Sequence, residues 1–320
     1  MYFSATDSSL RYLRDLLQSS WELSRERHGY VLCIHVPGMF VVNGLRGGYR
    51  AISITGDRCE LDCDHCKGSL LRTMIHVHNE ETLVKAGLEA AKRGDRGILV
   101  TGGCDQAGRL PWERFVGGIA ALKRLTTLFI SVHAGQLGPT TAEALRHAGV
   151  DQALVDVIGD EATAREVYHL SDGVRRIRKT LDALATAGLE IVPHILMGLH
   201  YGQERGERAA LAMLKDYPLT KYVVVVIMPG KGTPMAGVPP PSPERVALFL
   251  AEARLAYPDL YASLGCARPR GRYRRTLDVL AVRAGINGIA VPSDEALVEA
   301  QARGLTITYH DTCCSLGGVL

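Results

Sequence analysis

The sequence predicts an α/β fold of the (β/α)8 TIM-type barrel class, with a helix ahead of it and a tail behind. Three observations predict it. From Tyr49 onward, eight short runs rich in β-branched residues alternate with eight helical patterns, in unbroken β-then-α order. The helical patterns carry start and stop signals, with Pro111, Ser242-Pro243 and Ser293-Asp294 at openings and Gly94, Gly149, Gly188 and Gly304 at ends. The chain of 320 residues is 47% hydrophobic and 22% charged, enough for one large core, and has no linker, repeat or low-complexity tract to divide it. We therefore expect one compact domain, with a helix and pre-barrel segment at 1–48, the barrel at 49–304 and a cysteine-bearing tail at 305–320. A six-unit partial barrel with extra elements is the alternative.

Taken in order, residues 8–28 place Leu10, Leu13, Leu16, Leu17 and Trp21 at helical spacing, so a helix closes one end of the fold. The apolar segment that follows holds Cys33 and His35 and alternates poorly; it reads as a short strand and loop leading into the core. The eight barrel strands are expected at 50–55, 97–102, 127–132, 153–158, 190–198, 222–228, 260–265 and 286–291. The helices between and after them are expected at 81–93, 112–124, 140–148, 173–187, 204–216, 243–256, 274–284 and 294–303. The tail then has no barrel duty, and its vicinal pair Cys313-Cys314 needs a reason of its own.

A net charge of +3 on 320 residues gives no cause to expect a nucleic-acid partner. The basic run Arg268–Arg275 is locally exceptional; Arg268, Arg270 and Arg272 read either as a solvated loop or as contacts to a carboxylate or an acidic carrier protein. The longest apolar run, Tyr222–Met228, is too short to cross a membrane. The N-terminal residues lack the basic-then-apolar order of an export signal, so the expected location is cytoplasmic. Eight cysteines in a chain of this size then point to metal chemistry rather than disulfides.

The chemistry is concentrated in ISITGDRCELDCDHCKGS, residues 52–69. Cys59, Cys63 and Cys66 stand at a Cys-x3-Cys-x2-Cys spacing. Three thiolates in one short loop cap three corners of a 4Fe–4S cubane and leave the fourth iron open to a chelating small molecule. The alternative is zinc, which normally takes four closed ligands; no second pair lies nearby. Barrel active sites sit at the C-terminal ends of the strands, and other suggestive residues converge there. They are Gly102, Gly103 and Cys104 after the second expected strand, His133 after the third, Asp156 on the fourth, His194 on the fifth and PGKGTP (229–234) after the sixth.

CELDCDHC after a first barrel strand resembles the radical SAM superfamily, with His65 in the ring position before the last cysteine. TGG at 101–103 is similar to that superfamily's glycine motif, where Gly102 and Gly103 receive the amino group of S-adenosylmethionine; Cys104 stands where a Glu often follows. The strand-five stretch PHILMGLHYGQ resembles the adenine-contacting strand. The resemblance implies that a reduced cluster cleaves S-adenosylmethionine to a 5′-deoxyadenosyl radical, which abstracts an unactivated hydrogen. It also implies that Asp156 accepts from ribose hydroxyls and that His133 and His194 lie near the nucleoside or substrate. A satisfied core histidine is the other reading of each.

The remaining cysteines decide the subfamily. Cys33, Cys266, Cys313 and Cys314 read as ligands of a second, auxiliary 4Fe–4S cluster held by the two chain ends and the rim, with Cys104 able to replace one of them. Small buried hydrophobes are the alternative. A second cluster in one barrel implies sulfur insertion, as in the biotin synthase and lipoyl synthase group. The chain lacks a cysteine on strand five, where biotin synthase has an auxiliary ligand. It also lacks the N-terminal cysteine triplet and RSSY ending of ordinary lipoyl synthase. HVPGMF, NGIAVPS and DTCCSL, with the cysteine loop, resemble one member of the two-protein lipoyl synthase of archaea and some bacteria. That resemblance implies an octanoylated carrier (a lipoyl domain or the glycine-cleavage H protein) and a second radical SAM protein as partners. A radical SAM reaction without sulfur donation, and a non-catalytic zinc-binding barrel, are the competing expectations.

Overall fold

The computed structural model describes residues 7–38 and 40–318; Met39 of the HVPGMF stretch and the residues at 1–6 and 319–320 lie outside it. The chain opens with α1 (Asp7–His28), β1 (Val31–His35) and a small antiparallel hairpin of β2 (Val41–Val42) and β3 (Leu45–Arg46). The expected alternation follows: β4 (Tyr49–Ser53), the short β5 (Ile75–His76), α2 (Glu80–Lys92), β6 (Gly97–Thr101), α3 (Val116–Leu125), β7 (Phe129–His133) and α4 (Pro139–His147). Next are β8 (Gln152–Asp156), α5 (Glu161–Val167), α6 (Gly173–Thr186), β9 (Glu190–Met197), α7 (Glu207–Met213), β10 (Lys221–Val226) and α8 (Pro243–Ala256). The chain ends with β11 (Tyr261–Leu264), α9 (Arg272–Arg283), β12 (Gly288–Ala290), α10 (Asp294–Ala302) and β13 (Thr306–His310).

Eleven strands form one curled, parallel sheet in the order β13-β1-β12-β11-β10-β9-β8-β7-β6-β4-β5. All eight expected strands are present, and their C-terminal ends share one rim. The expected start signals at two helices are real caps: Ser242 accepts from Arg245 N and Ser293 from Ala296 N. Pro111 instead opens a single 3-10 turn, and α3 begins after it.

Two expectations need correction. The tail does have a barrel duty: β13 pairs along its length with β1, and β1 lies between β13 and β12. The tail therefore supplies a sheet strand, and the short strand expected in the pre-barrel segment is β1, which it pairs with. The alternating run TITYH fits a half-covered edge. At that edge Gly48 N donates to Asp311 O at 2.8 Å, so the two ends of the sheet approach without a continuous ladder. The second correction concerns Arg268, which is not a surface contact. It is fully buried, with Nε and Nη2 donating to both Asp278 oxygens at 2.6 and 2.9 Å. Nη1 donates to Gly265 O at 2.6 Å, and Asp278 Oδ2 also accepts from Ser293 N at 2.9 Å. The pair ties the end of β11 to α9 and to the start of α10, while Arg270 and Arg272 stay exposed. Replacing Arg268 with Ala leaves a buried carboxylate uncompensated. Urea unfolding is expected to show a loss of about 3–5 kcal/mol, against no more than a few tenths for Arg270→Ala.

Strand periodicity separates two faces. Ala262 and Leu264 of β11, like Val224 and Val226 of β10, pack outward under the helices. Leu154, Val192, Val223 and Ala290 face inward, where they meet the end of the chain. Among the described residues, no helix is long and apolar enough to cross a membrane.

Candidate active site and two groups of thiols

The cysteine loop begins where β4 ends, at the sheet's C-terminal rim. Tight turns close it: Cys66 N and Lys67 N both donate to Cys63 O, at 3.1 and 2.9 Å. Asp62 and Lys67 take positive φ values of 50° and 46°, which reverse the chain on either side of Cys63. Cys59, Cys63 and Cys66 then gather in one packed cluster with Leu61, Leu170, Tyr168 and Cys104. The ligating atoms of Cys63, His65 and Cys66 lie within 4.8 Å of one another, the one such set of three among the described residues.

The donor chemistry fits a cluster held by thiolates. The Cys63 thiol donates to Cys66, and with the His65 ring alongside it holds Cys66 down at about 4. The same hydrogen bond, with burial behind it, pushes Cys63 far up. A cluster bound here would take the place of that thiol–thiol hydrogen bond. His65 Nδ1 is buried and has no hydrogen-bond partner among the described residues, while its ring packs tilted on Tyr168 at 5.3 Å between centroids.

Neighbouring loops hold this loop from three sides. Asp64 accepts from the Tyr201 hydroxyl at 2.7 Å, and its other oxygen lies 3.1 Å from His169 Nε2. His169 is therefore a brace. From the loop after β10, Gly230 N donates to His65 O at 2.9 Å, so PGKGTP closes directly on the cysteine loop. Behind it lies the TGG turn, where Gly103 N donates to Thr55 Oγ1 at 2.7 Å. A Cβ on Gly103 would stand 2.0 Å from Arg58 O and 2.6 Å from Cys59 Cα. The glycine is thus required by the packing of this turn on the cysteine loop, where the sequence had suggested close approach to a ligand. Gly102 is less constrained, with Thr55 Oγ1 at 3.0 Å. Gly103→Ala is expected to cost about 1–3 kcal/mol by overpacking and to lower iron uptake in proportion, with Gly102→Ala milder in both readings.

Further round the rim, His133 Nε2 stands 3.3 Å from Asp156 Oδ1, and the His133 and His194 rings meet edge-on at 6.2 Å. Burial opposes the charge on His133, but the Asp156 carboxylate outweighs it and raises the pKa. Burial likewise opposes the charge on Asp156, yet His133, then His194 and His65, hold its carboxyl down at about 2. His194 is lowered to about 4, first by burial. It is neutral at pH 7, its Nδ1–H donating to Val192 O at 3.1 Å, which leaves Nε2 as an acceptor. Tyr168 donates to Asp156 Oδ2 at 3.4 Å. The rim therefore offers a fixed anion, a histidine beside it and a neutral acceptor. These side chains of His133 and Asp156 are 31% and 27% exposed, open to the mouth.

A second group of thiols lies inside the sheet. After β13 the chain turns in, and Cys313 and Cys314 pack with Cys266 against Leu154, Val192, Val223 and Ala290. Cys314 donates to Cys313, and this bond holds Cys313 at about 6. The tail is anchored below by Gln152 Nε2 donating to Ser315 Oγ at 2.8 Å and Lys221 Nζ donating to Leu316 O at 3.2 Å. Cys33 does not pack in that cluster, but the Tyr261 hydroxyl beside it is also close enough to feel Cys314. Cys33 faces inward from β1, with Gly318 behind its sulfur and the Tyr261 hydroxyl against it. Cys104 packs with the loop cysteines and with none of the second group, and burial pushes its thiol up to about 12.

An open groove of about 1380 Å³ runs from Thr55, Gly103 and Cys104 across to Arg175 and Lys179 of α6. None of the residues that line it packs with the second thiol group.

No family model matches the sequence. Among curated proteins the chain is similar to the biotin synthase of Acidithiobacillus ferrooxidans, 28% identical over 277 residues that cover 81% of each chain. Among solved structures it shares a fold with methylornithine synthase (PylB), with a TM-score of 0.62, 16% identity and coverage of 96% of this chain and 95% of that one. It likewise matches HydG, a maturase of the FeFe-hydrogenase, with a TM-score of 0.69, 14% identity and coverage of 96% and 70%. The parallel sheet, the three-cysteine loop at its rim and the likeness to biotin synthases support the radical SAM superfamily as the class of this chain. By sequence, the likeness is to biotin synthases.

Proposed function

We propose that the chain is a radical SAM sulfurtransferase that inserts sulfur into a protein-bound octanoyl chain, working with a second radical SAM protein toward lipoate. The observation that carries this reading is the inward turn of the tail, which packs Cys313 and Cys314 with Cys266 against the inner face of the sheet. The wall around those thiols is made of Leu154, Val192, Val223 and Ala290. An alkyl chain needs such a wall and asks for no hydrogen bonds.

Each part of the site has a role in this reading. Cys59, Cys63 and Cys66 hold a 4Fe–4S cluster and leave one iron for the amino acid part of S-adenosylmethionine. When bound, that cluster supplies the electron that cleaves the sulfonium to a 5′-deoxyadenosyl radical. Asp156 stays ionised and accepts from the ribose. His194, neutral, accepts through Nε2, and His65 and Tyr168 wall the nucleoside. Cys33, Cys266, Cys313 and Cys314 would hold an auxiliary cluster, with Cys104 able to replace one of them. The octanoyl carrier is a lipoyl domain or the glycine-cleavage H protein.

The likeness to biotin synthases favours a second reading, a reaction on a free small molecule. Intact-mass analysis separates the two. The chain is incubated anaerobically with S-adenosylmethionine, dithionite and an octanoylated carrier, with and without a candidate partner. Carrier that has gained sulfur supports the proposal; carrier that gains none in either arm, while 5′-deoxyadenosine accumulates with a small-molecule substrate, favours the second reading.

A further inference from the structure

Of the parts of the site, the open groove touches the cysteine loop and the TGG turn behind it. Arg58 and Glu60, on either side of Cys59, are exposed and line it. Gly103 lines it too, and a Cβ there would stand 2.6 Å from Cys59 Cα. Glu60 N donates to Cys104 O at 2.7 Å, which fixes the loop against the turn. Cys59 therefore lies directly behind the groove's lining. His133, Asp156 and His194 do not line it, nor do Cys266, Cys313 and Cys314. A molecule seated here approaches the cysteine loop without reaching the side of the rim assigned to the nucleoside, or the inner thiols.

The lining is cationic. Arg58, Arg109, Arg114, Arg175, Arg176 and Lys179 face Glu60, Asp105, Glu113 and Asp182, so the balance is positive. Arg58, Arg109 and Lys179 are exposed and have no ion-pair partner among the described residues. The carboxylates beside them are partly engaged: Asp105 Oδ1 accepts from Ala107 N and Arg109 N at 2.9 and 2.8 Å, and Asp182 Oδ1 from the Tyr217 hydroxyl at 2.9 Å. The large apolar residues of the groove, Leu110, Trp112 and Leu137, are buried. An open, positive surface with little exposed apolar area favours fast, weak and salt-sensitive association. That is the behaviour of electron-transfer encounters rather than of stable complexes.

We propose that this groove is the docking face for a small acidic electron-transfer protein, which delivers the one electron that each cleavage of S-adenosylmethionine consumes. The inference rests on the three-cysteine cluster proposed above and names the chemistry of its reductant. The donor is oxidised by one electron and the cluster at Cys59, Cys63 and Cys66 is reduced by one, with no atom or proton exchanged. The electron then goes to the sulfonium sulfur as its bond to C5′ breaks, giving methionine and the 5′-deoxyadenosyl radical.

The probe is an acidic plant-type two-iron ferredoxin. It is titrated in its oxidised form into the anaerobically reconstituted full-length chain, at low salt, by calorimetry. R109E/K179E is expected to raise Kd about tenfold or more, and added salt to weaken binding by the unaltered chain. R270E/R272E, a charge reversal of equal size on the exposed basic run, is expected to leave Kd unchanged. In a second arm 5′-deoxyadenosine is measured in a single turnover. With subsaturating ferredoxin, reduced and then freed of dithionite, R109E/K179E is expected to be about tenfold slower. With dithionite, which needs no dock, it is expected to match the unaltered chain. Wild-type Kd in R109E/K179E, weakened binding in R270E/R272E alone, or no binding by the unaltered chain overturns the docking face. So does a loss in R109E/K179E that dithionite does not repair. An unaltered chain that binds ferredoxin yet makes no 5′-deoxyadenosine with dithionite overturns the three-cysteine cluster itself, and the role of the surface with it.

Discussion

Replacing Cys63 with Ala is expected to abolish reductive cleavage of S-adenosylmethionine. Under dithionite, 5′-deoxyadenosine should fall roughly a thousandfold or more, the scale seen when one member of a unit that acts together is removed. Cys63 is the most enclosed of the three loop thiols at 5% exposed, and the turn that brings Cys66 back closes on its own carbonyl. Its loss leaves Cys59 and Cys66 as two thiolates with no third corner. Iron per chain should drop from about eight to about four, because the deep thiols are on other elements and do not share the loop. The same experiment on Cys104 separates the two classes of cysteine at the rim. Cys104 packs beside the loop thiols, and burial keeps its proton on. Cys104→Ala should retain about eight irons and lose no more than a few-fold in cleavage, a difference that anaerobic iron assay and liquid chromatography read directly.

The second large effect concerns the tail. Cys313→Ala should leave S-adenosylmethionine cleavage within a factor of about three, while thiolated carrier falls on the order of a hundredfold and iron drops to about four per chain. The effect is selective because the tail is held by contacts that do not involve this sulfur. Ser315, Leu316 and Thr312 are tied to Gln152, Lys221 and His35. The chain therefore keeps its inward course when Cys313 is shortened. Loss of cleavage and of thiolation together, with a lowered melting point, would show instead that Cys313 is needed for folding.

Much of this was legible in the order of the residues. The eight βα units follow from apolar runs such as Tyr222–Met228, whose strand part, Tyr222–Val226, is buried but for a half-buried Val225, as a central parallel strand requires. The cysteine loop is legible because a single short segment carries all of its ligands. What escaped depends on contacts across the sheet. β13 was hidden because the eighth helix appeared to complete the barrel, and only its pairing with β1 makes TITYH a strand. The helix α5 was missed because EATAREV is short, and its one clear signal is the Asp160 cap accepting from Thr163 N. Asp64, His169 and Tyr201 sit far apart in sequence and become a brace only when three loops meet. Arg268 lies in a run of arginines that reads as surface, and a single buried carboxylate, Asp278, reverses that reading.

The central claim is that one curled sheet holds two iron–sulfur sites, one at its rim and one within. Iron and acid-labile sulfide content, measured with Mössbauer spectra on the anaerobically reconstituted full-length chain, tests it most directly. About eight irons per chain in two spectroscopically distinct four-iron sets is the expected result. About four irons per chain in a single set, lost entirely on Cys63→Ala, would contradict it.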